Sequence, residues 1–200
     1  MKINVIGDGS FGTFLKSQLP NCGFEIVQQH HNDVPVILAV PIDAYEVEAL
    51  HHQGKHLINV CSVQEPSTKI LLKYTDKVTS IHPLFGCRTP IDKRNTILTY
   101  KYNPTDKSQE TFLRCWSSFS CILDTFKEDV FTPEIHDKLM AKTHFAAIIA
   151  AKQLKRFVDD ASDIPDEFIP NSFRLLRQFV QTLQDMPTGT VESIMANPYA

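Results

Sequence analysis

An apolar stretch of Ile3, Val5 and Ile6 runs into Gly7, and Gly7, Gly9 and Gly12 complete a G-x-G-x-x-G pattern. Directly behind it Phe11, Phe14, Leu15 and Leu19 recur at helical spacing. The segment therefore predicts a strand, a tight turn and a helix in immediate succession. The first glycine permits the turn, the second lets a pyrophosphate approach the backbone, and the third lets the helix lie close to the strand. The N–H groups at the helix start would face the phosphates. The expected fold class is α/β, opening with a Rossmann-type dinucleotide-binding domain. In it Gly7, Gly9, Ser10, Phe11 and Gly12 would hold the pyrophosphate, and Val40 and Pro41 would line the nicotinamide ribose. A glycine-rich turn in some other α/β domain is the alternative left open by the pattern alone.

Further along, Phe24 to Gln28 predicts a short second strand and Pro35 to Pro41 a buried third one. Only Gln29 to Val34 separate them. That is too few for a right-handed crossover helix, which needs a connection of roughly a dozen residues. The sheet should therefore lack a helix near where an adenosine would sit. A helix over 42–52 follows, with Ala44, Val47 and Leu50 on one face, then a strand over 55–61 and a loop over 62–66. Next come a short helix over 68–74, a strand over 77–81 and His82-Pro-Leu-Phe-Gly86 at its tip. A strand over 96–100, a helix over 108–119 with Phe112, Leu113 and Trp116 turned inward, and a strand over 121–126 complete the sheet. Beyond Thr132 the periodicity is helical only, over 134–159, 172–183 and 190–195. This divides the chain into a dinucleotide-binding domain, 1–130, and a small all-helical domain, 131–200.

Composition supplies exclusions. A net charge of −3 and a pI near 6.2 give no electrostatic reason for a nucleic-acid or anionic-membrane partner. The longest apolar run, Val34 to Ile42, is broken by prolines and too short to span a bilayer. The sequence enters a strand at once, so no signal peptide is expected. Five cysteines without C-x-x-C spacing fit reduced thiols in a cytoplasmic protein. His30, His31, His51, His52 and His56 invite a metal reading, but no carboxylate or cysteine completes a ligand set at a usual spacing. No metal is expected, and these histidines read as solvated loop residues.

Three stretches together resemble the prephenate and arogenate dehydrogenases, oxidoreductases of tyrosine biosynthesis. They are Asn59-Val-Cys-Ser-Val-Gln-Glu65, Ser80-Ile-His-Pro-Leu-Phe-Gly86 and Ile135-His-Asp-Lys-Leu-Met-Ala-Lys-Thr-His-Phe145. The resemblance runs from residue 1 to roughly 195, and His-Pro-x-Phe-Gly after a strand is its most specific piece. It implies an NAD(P)-dependent oxidative decarboxylation of a cyclohexadienol, with His82 as the base that accepts the hydroxyl proton. Ser62 matches the serine that hydrogen-bonds the substrate hydroxyl and that imidazole, and His144 a pocket histidine of the helical domain. For His136 and Asp137 a structural role at the helix start is expected. The resemblance further implies a homodimer through the helical domain.

The sequence departs from that family in four places. The arginine expected for the ring carboxylate is replaced by Gln181 or Thr182, leaving Arg174 and Arg177 earlier on the same helix as substitutes. Family members continue through more helices past the position of Ala200. Where an acid should read the ribose hydroxyl stand Gln28, Gln29, His30 and His31. With nothing there to repel a 2′-phosphate, NADP is expected to bind at least as well as NAD. The helix missing after Gln28 completes the set. These losses imply a dinucleotide dissociation constant above about 100 μM. The alternative function is a non-catalytic relative that binds a small ligand or a partner chain. A different small Rossmann reductase, for an imine or a pyrroline carboxylate, is disfavoured by His82-Pro-Leu-Phe-Gly86.

Overall fold

The structure is a computed structural model that describes residues 1–28, 34–103, 105–124 and 132–200. The connection from Gln29 to Asp33, with His30 and His31 and the missing crossover helix, lies outside the described residues. Two compact units divide the chain, Met1–Asp137 and Lys138–Ala200.

The first unit is built on a seven-stranded sheet. Its strands are β1 (Lys2–Ile6), β2 (Glu25–Ile26), β3 (Val36–Leu38), β4 (Leu57–Asn59), β5 (Val78–Pro83), β6 (Asn95–Lys101) and β7 (Cys121–Asp124), in the order β2-β1-β3-β4-β5-β6-β7. The first five are parallel, β6 runs antiparallel to β5, and β7 is parallel to β6. Alternation along the strands feeds two cores. Ile3, Val5, Ile37, Ile58 and Ile81 pack with Phe14 and Leu15 of α1 (Ser10–Gln18), Leu19 just past it, and Phe112 and Trp116 of α4 (Lys107–Ser117). Val36, Leu38, Leu57 and Val78 pack on the other face with Tyr45 and Ala49 of α2 (Tyr45–His51) and Leu71 of α3 (Gln64–Leu71).

The structure corrects several expectations. On α2 the inward residues are Tyr45 and Ala49, while Val47 and Leu50 are more than half exposed. The buried Tyr45 hydroxyl donates to the Leu38 carbonyl and to Asn59 Oδ1, and these bonds fix the helix's phase against its apolar pattern. α3 begins at Gln64, inside the segment read as a loop. Pro66 is tolerated there because first-turn N–H groups have no partner within the helix. His52 and His56 are buried, not solvated.

The second unit is helical, as the periodicity indicated. α5 (Pro133–Met140) leads into it, and the single long helix expected there is interrupted by a π turn, Ala141–Phe145, before α6 (Ala146–Asp160). α7 (Asn171–Gln184) and α8 (Thr188–Met195) complete it. Among the described residues no helix is long and apolar enough to cross a membrane.

Candidate functional site

β1 leads through α1 to β2 on one side of itself, whereas β3, β4 and β5 continue on the other. Such a reversal of strand order opens a crevice at the carboxyl ends of the strands, here between β1 and β3. The glycine turn fills it. Gly7 has φ +116°, and a Cβ there would stand 2.2 Å from the Ala39 carbonyl oxygen after β3. A Cβ on Gly12 would stand 2.3 Å from the Gly7 carbonyl oxygen. A Cβ on Gly9 would meet nothing within 4 Å. Gly9 caps α1 without a side-chain hydrogen bond, and the first turn carries no acid. Two glycines are therefore required by the protein's own packing and one faces open space, beside helix N–H groups suited to an anion. These residues fit a pyrophosphate. Asp8, the one nearby carboxylate of the turn, bonds Lys16 at 2.6 Å. From Gly7 a groove of about 610 Å³ runs past Lys16 to Gln28, a neutral residue two positions past β2. Val40 and the exposed Pro41 follow β3 on the same edge.

Asn59 at the end of β4 pairs in register with Ser80 of β5. Ser62 and His82 each lie just past that pair, and so share the carboxyl edge. Ser62 is half-buried in the bend before α3. The Asn59 amide donates to Ser67 Oγ at 2.8 Å and Thr68 Oγ1 at 3.2 Å, which ties α3 to the sheet. An extra residue in β6, Thr99, disturbs the register with β5. Its hydroxyl donates to the buried Gln64 Oε1 at 2.6 Å.

His82 is buried at the end of β5. Its Nδ1 stands 2.8 Å from Nε2 of His136. Nδ1 of His136 stands 2.8 Å from Oδ1 of Asp137. The Asp137 carboxylate accepts from the backbone N–H groups of Gln64 and Glu65, each at 2.8 Å, and so caps α3. These side chains belong to the first unit, which extends to residue 137 because they anchor the start of α5 there. The helix-start role expected for Asp137 thus falls on α3, and His136, passed over in favour of His144, is the histidine that meets His82.

In the second unit His144 lies half-buried in the π turn, a feature frequent at functional sites. The two candidate arginines have other partners. Arg174 donates to the carbonyls of Ile169 and Asp166 at 3.2 and 2.6 Å. Arg177 donates to Asp166 Oδ1 and the Ala161 carbonyl, both at 3.3 Å. Together they brace the segment before α7. Among the described residues no three His, Cys, Asp or Glu side chains gather as a metal-ligand set.

No protein-family model matches the chain, and no curated protein matches it. Solved structures do. A candidate prephenate dehydrogenase of Corynebacterium glutamicum superposes with a TM-score of 0.68 at 14% identity, over 96% of this chain and 74% of that one. Prephenate dehydrogenase of Aquifex aeolicus, in complex with hydroxyphenyl propionate and NAD⁺, gives 0.59 at 14% identity, over 98% and 82%. Plasmodium falciparum pyrroline carboxylate reductase with NADP bound gives 0.54 at 12% identity, over 100% and 86%. The chain shares its fold with the prephenate dehydrogenases. Since a pyrroline carboxylate reductase shares it as well, the fold alone does not choose between their substrates.

Sequence reasoning singled out the glycine turn, Ser62 and His82 and read His136 and Asp137 only as helix-start residues, without the chain His82–His136–Asp137. The signal was the Ile135-His-Asp137 run itself, which local reading takes for an ordinary helix start.

Proposed function

We propose that the protein is an NAD(P)-dependent oxidoreductase of the prephenate/arogenate dehydrogenase type, acting on a cyclohexadienol. The observation that carries this reading is His82. It stands at the strand end on the edge that bears the glycine turn, with Nδ1 held by a second imidazole. A nicotinamide, when bound, supplies the hydride acceptor. The chain's own work is to accept the hydroxyl proton as that hydride leaves the carbinol carbon, and a neutral imidazole suits the task. Carbon dioxide leaves the opposite ring carbon and the ring becomes aromatic. Ser62, past β4, is assigned to the substrate hydroxyl. Gly7, Gly9, Ser10, Phe11 and Gly12 hold the pyrophosphate, with Val40 and Pro41 at the ribose. His144 is assigned to the substrate. Arg174 and Arg177 serve the ring carboxylate only by exchanging their present partners, and this favours a second reading, a non-catalytic relative that binds a small ligand or partner chain. We further propose a cytoplasmic homodimer formed through the helical unit.

Two measurements test the reading. Fluorescence titration with NADH and NADPH should give dissociation constants above about 100 μM, with NADPH bound at least as well as NADH because the neutral Gln28 follows β2. A tenfold preference for NADH would show that the ribose is read from elsewhere, and no binding of either would leave the second reading. With saturating dinucleotide, His82→Asn should lower kcat on prephenate or arogenate by on the order of 10²–10⁴, the usual worth of general base catalysis. Dinucleotide affinity should hardly change. An equally active variant would remove His82 from the chemistry.

A further inference from the structure

We propose that His136 and Asp137 are positioning residues that keep a hydrogen on Nδ1 of His82 and so present its Nε2 as the proton acceptor. The catalytic consequence rests on the reading of His82 as the base. The proton arrangement itself does not, because it follows from hydrogen bonds within the first unit.

The order of donors can be read from the carboxylate outward. The Asp137 carboxylate accepts from the N–H of Gln64 and the N–H of Glu65 and meets Nδ1 of His136, each at 2.8 Å. The two backbone groups can only donate, so the carboxylate oxygens act as acceptors and His136 must carry its hydrogen on Nδ1. His136 is taken as neutral, since an imidazolium there would donate from Nε2 as well; a neutral imidazole with hydrogen on Nδ1 has a lone pair on Nε2. That lone pair faces Nδ1 of His82 at 2.8 Å, so His82 donates from Nδ1. The lone pair of His82 then lies on Nε2. His82, His136 and Asp137 are 2%, 0% and 0% exposed, so water does not compete for these bonds and the low dielectric strengthens them.

The same chain accommodates the product of proton transfer. One proton moves from the substrate hydroxyl oxygen to Nε2 of His82, and the O–H electron pair stays on that oxygen. Nothing in the relay is oxidised or reduced. His82 becomes a cation still donating from Nδ1, and the Asp137 negative charge lies one ring away. A carboxylate that orients a base and offsets its charge is a known catalytic device, and here a second imidazole stands between the two.

The experiment uses ¹⁵N-histidine NMR on the full chain at mildly alkaline pH, with His82→Asn identifying the His82 signals. The wild type should show His82 with hydrogen on Nδ1 and a bare Nε2. His136→Asn keeps an amide donor for Asp137, and with it the cap of α3, but removes the acceptor facing His82. It should shift His82 toward the Nε2–H form and lower kcat by on the order of 10² with KM little changed. His136→Gln places an amide oxygen near the lost Nε2 and should restore the Nδ1–H form and much of the rate. Hydrogen on Nε2 in the wild type, or a His82 unmoved in His136→Asn, would overturn the proposal. The wild-type spectrum decides even where a variant does not fold. Absence of turnover in the wild type would count against the dehydrogenase reading and leave the spectra to judge the relay.

Discussion

His56 shows how far a residue's neighbours can reverse its expected character. It sits after a polar turn beside Gly54 and Lys55, yet it is 6% exposed. Thr79 donates its hydroxyl hydrogen to Gln109 Oε1 at 2.9 Å, so it receives Nε2–H of His56 at 2.9 Å. The imidazole is thus a donor at Nε2. Burial pushes its pKa down to about 4; the Asp106 carboxylate opposes the shift and Lys77 adds to it. The unfolded chain, with a histidine near pKa 6.5, binds more protons than the folded one between those values. Stability from this group is therefore complete above about pH 6.5 and lost as the pH falls toward 4, by roughly 3 kcal/mol in all. Urea unfolding of wild type and His56→Gln at pH 7 and pH 4.5 should show a steeper acid loss for the wild type. Equal losses would remove His56 as the cause. Thr79 and Gln109 lie 23 and 53 positions along the sequence, beyond any local pattern. The link from His136 to His82 is hidden from the sequence for the same reason, since the two are 54 residues apart.

At the scale of elements, the glycine turn was legible and the start of α3 was not, and the difference is where each element's stabilising contacts come from. Gly7, Gly9 and Gly12 announce themselves because turn, strand and helix are consecutive and the constraint is steric. α3 is capped by Asp137, 73 residues beyond Gln64, and no signal before Gln64 marks its start. The face of α2 was misread because the Tyr45 hydroxyl, not an apolar stripe, sets its rotation. The π turn within 134–159 leaves the apolar periodicity almost intact, so a continuous helix was the natural expectation. The steric logic of the turn separates three substitutions. Gly7→Ala and Gly12→Ala drive a methyl into backbone carbonyls, and Gly7 also has a φ of +116°. Each should lower the melting temperature markedly, through a loss on the order of 1–3 kcal/mol or more. Gly9→Ala meets no protein atom and has φ −68°, so it should melt within a few degrees of the wild type, given that alanine is a somewhat poorer N-cap. Its NADPH affinity should nevertheless fall about tenfold or more, which is ~1.4 kcal/mol. Undiminished affinity in Gly9→Ala would mean that the phosphates do not lie against this turn.

For the whole molecule, the second unit leaves several large apolar side chains exposed. Ile148 and Val180 are buried within the chain, whereas Phe168 is 73% exposed, Leu175 58%, Phe157 46%, Leu139 45% and Ile164 44%. Scattered exposed leucines mean little, but large aromatic and aliphatic side chains that share a surface mark an interaction site. The occupant proposed above is a second copy of the chain, since two-fold pairing lets one patch cover itself and is the common arrangement of soluble homo-oligomers. A stable pair buries roughly 1,200–2,000 Å² in total, and losing aromatic anchors from such an interface is costly. Light scattering at micromolar concentration should therefore give twice the mass of the chain, and Phe168→Asp combined with Leu175→Lys should give the single mass. The glycine turn belongs to the first unit, so NADPH affinity of that double variant should match the wild type. A wild-type monomer at micromolar concentration would refute the pairing. A dimer indifferent to both substitutions would move the interface off these residues.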